Sequence, residues 1–123
     1  MTKVMVVDDE RDLREMINLM LKKEGFETQT AQDGEEFLKK IDDFKPDLVT
    51  LDVMMPGLKT KEILEKLKEK ESKPKIILLT VVQFSKDEEK KLMEMGVIQY
   101  IRKPFELKDL IEAVKKWTIP QVH

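Results

Sequence analysis

Leu48-Val49-Thr50-Leu51-Asp52 is a run of apolar and β-branched residues that stops on an acid. A continuous run of this length suits a strand covered on both faces, as in a parallel sheet. Val4-Met5-Val6-Val7 reads the same way and stops on Asp8-Asp9. So does Ile76-Ile77-Leu78-Leu79, which stops on Thr80. Ile98-Gln99-Tyr100-Ile101 is less apolar and stops on Arg102-Lys103-Pro104. Phe26 to Ala31 carries polar residues throughout and reads as an edge strand. Helical periodicity fills the intervals. Leu13, Met16, Ile17, Met20 and Leu21 fall at three- and four-residue steps, and Gly25 supplies a stop. Phe37, Leu38 and Ile41 repeat the pattern before Pro46, and Ile63, Leu64 and Leu67 do so before Pro74. Ser85 and Glu88 have capping-box spacing and open a helix that stops at Gly96. Leu107, Leu110, Ile111 and Val114 line a last helix ending near Trp117. The order is β-α five times over, which predicts an α/β fold with a parallel sheet and helices on both faces.

The chain has 123 residues, within the size of one domain, and shows neither an internal repeat nor a low-complexity linker. Hydrophobic residues make up 41%, enough for a core. Charged residues reach 39%, but 23 Lys+Arg nearly balance 25 Asp+Glu, which predicts a mixed solvated surface. A globally basic nucleic-acid binder is disfavoured, since such binding needs positive charge gathered on one face. There is no cysteine, so disulfides, thiol catalysis and Cys-based zinc sites are excluded. The only histidine is His123, which excludes Ser-His-Asp triads, His metal clusters and phosphohistidine chemistry on this chain. No apolar run approaches the roughly 18 residues of a membrane span. Nor does the N-terminus have the longer apolar stretch and cleavage site of a secretory signal. The expectation is a soluble cytoplasmic protein.

Ligands of open α/β sheets bind past the carboxyl ends of the strands. There the sequence places Asp8-Asp9, Asp52, Thr80 and Lys103. Acids held close together repel, so they raise a pKa or recruit a cation, and a hard oxygen cage suits Mg2+. A lysine beside them neutralises part of the charge and can bind an oxyanion. Each residue alone has a plainer reading. Asp8 or Asp9 can cap the first helix, Asp52 can be a turn acid, Thr80 can be structural, and Lys103 can be a solvated loop lysine. The joint placement at one end of four strands is what favours a site.

The stretches Val6-Val7-Asp8-Asp9-Glu10, Pro46 to Gly57, Ile77-Leu78-Leu79-Thr80 and Tyr100-Ile101-Arg102-Lys103-Pro104-Phe105 together resemble the receiver domain of two-component response regulators, over essentially the full chain. The resemblance implies a flavodoxin-like (βα)5 fold with strand order 2-1-3-4-5. It implies that Asp52 is the phosphoacceptor for a sensor histidine kinase or phosphotransfer protein. It implies Mg2+ held by Asp9, Asp52 and the Met54 carbonyl, with Asp8 acting mainly through water. Thr80 and Lys103 would contact the phosphoryl oxygens, Tyr100 would be a switch aromatic, and the Lys103-Pro104 peptide would be cis. The implied activity is self-phosphorylation and slow autodephosphorylation, not turnover of an external substrate. Residues 1–118 would form the receiver and 119–123 a short tail with no output domain, either as a single-domain protein or as the receiver of a longer regulator. The receiver would be monomeric when unphosphorylated, with dimerisation on phosphorylation left open.

The pattern departs from the family in places. Lys59 and Thr60 stand where an acid and a glycine are usual, which affects the shape and contact surface of the loop. Val81 replaces a commonly small residue. Val82 and Met54 stand where dephosphorylation rate varies, and this apolar pair is expected to hinder an in-line water and prolong the phosphoryl group. Phe84 reads either as packing over the fourth helix or as an exposed anchor. The resemblance implies partner surfaces on the first helix towards the kinase, with Leu13, Arg14, Ile17 and Asn18 as candidates, and on the face of the fourth helix, fifth strand and fifth helix towards a downstream protein, with Lys91, Met95 and Gln99. No direct contact with nucleic acid or membrane is expected. A nucleotide or flavin enzyme on this fold is disfavoured because the four glycines form neither a dinucleotide fingerprint nor a P-loop.

Overall fold

The computed structural model describes residues 2–53, 59–81 and 83–118. Expectations that fall on Met54, Val82 and the tail 119–123 therefore lie outside the described residues. Five strands, β1 (Lys3–Val7), β2 (Glu27–Ala31), β3 (Leu48–Asp52), β4 (Lys75–Thr80) and β5 (Val97–Arg102), alternate with five helices. The helices are α1 (Arg11–Lys23), α2 (Gly34–Phe44), α3 (Thr60–Leu67), α4 (Lys86–Glu94) and α5 (Leu107–Thr118). All strand pairs are parallel, in the order β2-β1-β3-β4-β5. The polar β2 lies at one edge, as its sequence predicts, and β5 at the other.

Strand alternation divides the core into two layers. Met5, Val7, Val49, Leu51, Ile76 and Leu78 face one side, where α2, α3 and α4 bury Phe37, Ile41, Ile63, Leu64 and Leu92. Val4, Val6, Leu48, Ile77 and Leu79 face the other, against Ile17 and Leu21 of α1 and Leu110, Ile111 and Val114 of α5. The central strands are apolar on both faces because helices cover both. Among the described residues, no helix is long and apolar enough to cross a membrane.

Helix boundaries follow local chemistry. Gly25 and Gly96 sit just past α1 and α4 with φ of 95° and 104°, the left-handed conformation that glycine adopts without penalty. Lys45 takes the same role after α2 with φ of 52°. Asp33, unremarked in the sequence, caps α2 by accepting a 2.8 Å hydrogen bond from the Glu36 N–H. Helix α3 stops at Leu67, well before Pro74, so the proline does not end it. The Lys73 ammonium donates instead to the exposed carbonyls of Leu67 and Lys68.

The helices are unequally anchored. Helix α2 buries Phe37, Leu38, Ile41 and Phe44, whereas α4 buries only Leu92. Helix α4 relies correspondingly on its capping box: Ser85 Oγ accepts from the Glu88 N–H at 3.2 Å, and Glu88 Oε1 accepts from the Ser85 N–H at 3.0 Å. Ser85→Ala is expected to cost about 1 kcal/mol in urea denaturation, with faster amide exchange confined to α4. A second test concerns Thr50, fully buried in β3 with no partner for its hydroxyl among the described residues. Thr50→Val replaces that hydroxyl by a methyl of the same shape. It is expected to raise stability by about 1 kcal/mol, and a loss of that size would show that the hydroxyl is satisfied.

Candidate functional site

The carboxyl ends of β1, β3, β4 and β5 meet at one edge of the sheet. Register fixes this: Val7 pairs with Leu51, Asp52 with Leu79, and Thr80 with Arg102. The chain beyond each strand is pinned to its neighbour. The Val53 N–H donates to the Leu79 carbonyl at 3.0 Å, and the Lys103 N–H to the Thr80 carbonyl at 2.9 Å. The Lys103-Pro104 peptide is cis.

Carboxylate oxygens of Asp8, Asp9 and Asp52 lie within 4.8 Å of one another. Asp52 is 3% exposed and Asp8 1%, while Asp9 is open to solvent. Lys103 Nζ stands 3.1 Å from Asp52 Oδ1 and is itself largely buried. Thr80 is buried at the end of β4, on the same sheet face as Ile76 and Leu78. The structure thus brings together Asp8, Asp9, Asp52, Thr80 and Lys103 at one end of the sheet.

Neither Asp8 nor Asp9 caps α1. Its N-cap is Glu10, without a side-chain cap bond. Asp8 Oδ1 accepts instead from the Glu10 N–H at 2.9 Å, which turns the carboxylate back over the strand end. Its other oxygen, Oδ2, is buried with no hydrogen-bond partner among the described residues. Burial pushes the Asp8 carboxyl up to about 6; the Glu10 bond opposes this, and the negative charge of Asp52 adds to it. A half-satisfied buried carboxylate beside two other acids leaves the cluster net negative even with Lys103 in contact with Asp52. Three carboxylates, one with an orphaned oxygen, are the donor set a hard divalent cation takes, so these residues fit Mg2+.

Arg14 was expected on a partner surface. Its Nη1 donates to the Asp8 carbonyl at 2.8 Å, so it buttresses the β1–α1 turn that carries the acids. Ile17 is fully buried under the sheet and unavailable to a partner. The exposed apolar residues of α1 are Met16 and Leu19. Gln99 is likewise engaged, accepting from Trp117 Nε1 at 2.6 Å. Phe84 packs half-buried on Tyr100, with ring centroids 5.6 Å apart, and the Tyr100 hydroxyl donates to the Glu89 carbonyl of α4 at 3.4 Å. Thr60, at the first position of α3, donates from Oγ1 to the Val53 carbonyl at 3.3 Å. That bond was not visible in the sequence, where Thr60 registered only as a missing glycine.

Residues 4–115 match the sequence profile of the response regulator receiver domain. The chain is 40% identical over 116 residues to the alkaline phosphatase synthesis transcriptional regulatory protein PhoP of Bacillus subtilis. The match takes in 92% of this chain and 47% of that protein, so the chain spans about half the length of this relative. Among solved structures, it is similar to a CheY-like receiver domain protein from Methanospirillum hungatei, with a TM-score of 0.82 and 28% identity over 94% of this chain and 92% of the other. It is also similar to the response regulator TrrA of Thermotoga maritima in complex with Mg2+ and BeF, with a TM-score of 0.76 and 38% identity over 95% of this chain and 99% of the other.

The Asp8 environment has a consequence for stability. Its folded-state pKa lies above its unfolded value, so the folded protein binds the extra proton. This one group therefore favours folding at low pH, and its contribution is lost as pH rises from 3.8 to about 6. At neutral pH in chelator, the ionised carboxylate costs about 3 kcal/mol. Asp8→Asn is expected to recover much of that in thermal melts at neutral pH and to flatten the pH dependence between acid and neutrality. An unchanged pH profile would show that Asp8 is solvated in the folded state.

Proposed function

The chain belongs to the response regulator receiver domain family, and from that premise we propose that it is a phosphoacceptor switch in which Asp52 takes a phosphoryl group. The observation that carries this reading is the approach of Lys103 Nζ to Asp52 Oδ1 at 3.1 Å, inside a cluster whose other acids are Asp8 and Asp9. A turn acid or a helix cap needs neither neighbour.

The chemistry follows from the charges. A carboxylate approaching an anionic phosphoryl group meets repulsion. Asp8, Asp9 and Asp52 would hold Mg2+, with the carbonyl of Met54, outside the described residues, as the further donor expected from the sequence, and the ion would supply the charge that offsets this repulsion. An Asp52 oxygen attacks the phosphorus of a phosphohistidine on a sensor kinase or phosphotransfer protein. The P–O bond forms as the P–N bond breaks, and the donor imidazole leaves and takes a proton from solvent. Lys103 exchanges its contact with the carboxylate for one with a phosphoryl oxygen, and the Thr80 hydroxyl donates to another. The chain modifies its own side chain and turns over no external substrate. Tyr100 shares the sheet face of Thr80 and bonds to α4, so a movement of Thr80 reaches a surface that a downstream protein can read.

The donor side has a matching surface. A shallow depression of about 560 Å3 beside the acids is lined by Leu13, Met16, Val81, Phe105 and Leu107, with Lys103 at its edge. Met16 is 50% exposed and Val81 56%. Lys103, which contacts Asp52, lines this depression, so a phosphohistidine protein docked there would lie next to the acceptor. The receiver acts in the cytoplasm through proteins, with no contact of its own to nucleic acid or membrane.

Incubation with acetyl phosphate and Mg2+ is expected to add one phosphoryl mass to the intact protein. Asp52→Asn should abolish the gain, and chelation of Mg2+ should suppress it in the wild type. If Asp52 gains no phosphate, or if Asp52→Asn leaves the signal unchanged, the chain is a binding module that does not take phosphate there.

A further inference from the structure

Two side chains hold the backbone of the turns that carry the acids. Arg14 Nη1 donates to the Asp8 carbonyl at 2.8 Å, and Thr60 Oγ1 donates to the Val53 carbonyl at 3.3 Å. They reach in from opposite faces of the sheet. Helix α1 packs on the layer of Val4 and Val6, and α3 on that of Met5 and Val7. Each donor lies in line with the buried stripe of its helix. Arg14 precedes Ile17 by three residues and Leu21 by seven, and Thr60 precedes Ile63, Leu64 and Leu67 by three, four and seven. Ile17, Leu21, Ile63 and Leu64 are fully buried, so both donors stand on helices that the core locks to the sheet.

These two bonds complete the fixing of the turns. The Asp8 N–H donates to the Ala31 carbonyl at 3.1 Å, and the Val53 N–H to the Leu79 carbonyl at 3.0 Å. Main-chain bonds thus hold the N–H in each turn, while among the described residues only the side-chain donor holds the carbonyl. The charges that move the Asp8 carboxyl are those of Asp52, Lys103 and Asp9, so Arg14 acts through the backbone it holds. Rigidity decides which cation a set of carboxylates prefers. Mg2+ demands near-ideal octahedral geometry at about 2.1 Å, whereas Ca2+ accepts about six to eight oxygens at roughly 2.3–2.6 Å in flexible arrangements. Acids on loosened turns therefore lose more with Mg2+ than with Ca2+. We propose that Arg14 and Thr60 are positioning residues for the cation site, and that by clamping the Asp8 and Val53 carbonyls they set its preference for Mg2+ over Ca2+. This rests on the fit of Asp8, Asp9 and Asp52 to a divalent cation and adds what makes that fit selective.

The test is an NMR titration of the isotopically labelled full chain with Mg2+ and, separately, with Ca2+, read at the amide signals of Asp8, Asp9 and Asp52. Arg14→Met and Thr60→Val remove the donors while keeping much of the bulk, and Thr60→Ser keeps a hydroxyl. Each donor-removing variant is expected to weaken Mg2+ binding about tenfold and Ca2+ binding by less than about threefold, so that the ratio of the two affinities falls. Thr60→Ser is expected to keep the wild-type ratio. A merely structural role would lower stability in chelator and leave that ratio unmoved. An unchanged ratio in a folded variant therefore overturns the role of the residue replaced. Thr60→Val is close to isosteric, so it decides the matter if Arg14→Met does not fold. A Thr60→Ser variant as impaired as Thr60→Val would show that the hydroxyl is not the cause. If the wild type binds Mg2+ and both variants match it, the clamps alone are wrong. If the wild type binds neither ion at these residues, the Mg2+ reading itself fails and the selectivity with it.

Discussion

The mutual repulsion of Asp8, Asp9 and Asp52, held within 4.8 Å and opposed by one lysine, is the constraint on which the rest of the structure depends. Carboxylates left to themselves would move apart into water. Here two are buried and cannot. Asp52 is the last residue of a strand enclosed on both faces, and Asp8 follows directly on another. The register that pairs Val7 with Leu51 is set by apolar residues far more numerous than the acids it brings together. A slip of one residue would turn every core side chain of β3 to the other layer. The core therefore supplies the free energy that keeps like charges close, and the site in turn keeps a standing demand for a cation.

That demand extends into the supporting residues. The Glu10 N–H bonds one oxygen of Asp8, and Arg14 holds the Asp8 carbonyl, yet neither reaches Oδ2. Lys103 pairs with Asp52 and also draws the Asp8 carboxyl down, but one ammonium offsets only one of the three acidic charges. The protein's overall charge is only −2, which hides this local negative hole in a surface where both signs are abundant. Converting a carboxylate to an acyl phosphate changes net charge by about one unit. On such a surface the effect must come from position, opposite Thr80 and Lys103, and not from amount.

The fold was legible because its signals are redundant. Four apolar runs, one polar run and five amphipathic intervals each state the same alternation, and the acid-ended strands locate the site. What the sequence could not show depends on contacts between distant segments or on single atoms. Ile17 has the periodicity of a helix face, but only the packing of α1 on the sheet shows that it is sealed off while Met16 and Leu19 are not. Arg14 looks like any charged surface residue until the turn folds the Asp8 carbonyl towards it. Asp33 has the same spacing to Glu36 as Ser85 to Glu88, but it follows the polar β2, so no change from apolar to polar residues marks the helix start there. Thr50 passed as part of an apolar run, and its buried hydroxyl is apparent only in three dimensions.

The uneven anchoring of the helices bears on how such a site can signal. A rigid fold would hold the acids well but transmit nothing. Elements that respond to a local change come from the low-stability end of a structure. Helix α2, with four large side chains buried, is poorly suited to that role. Among the described residues, helix α4 buries Leu92 alone, and it is also held by its cap, by the Tyr100 hydroxyl and by the neighbourhood of Phe84, which packs on Tyr100. These are directional contacts of modest strength, each able to break and remake without disturbing the layer beneath. Two of the three converge on Tyr100, one strand away from Thr80. The fold thus places its firmest packing under β1 and β3, which carry the acids, and its most replaceable contacts beside β4 and β5, where a change at Thr80 arrives first.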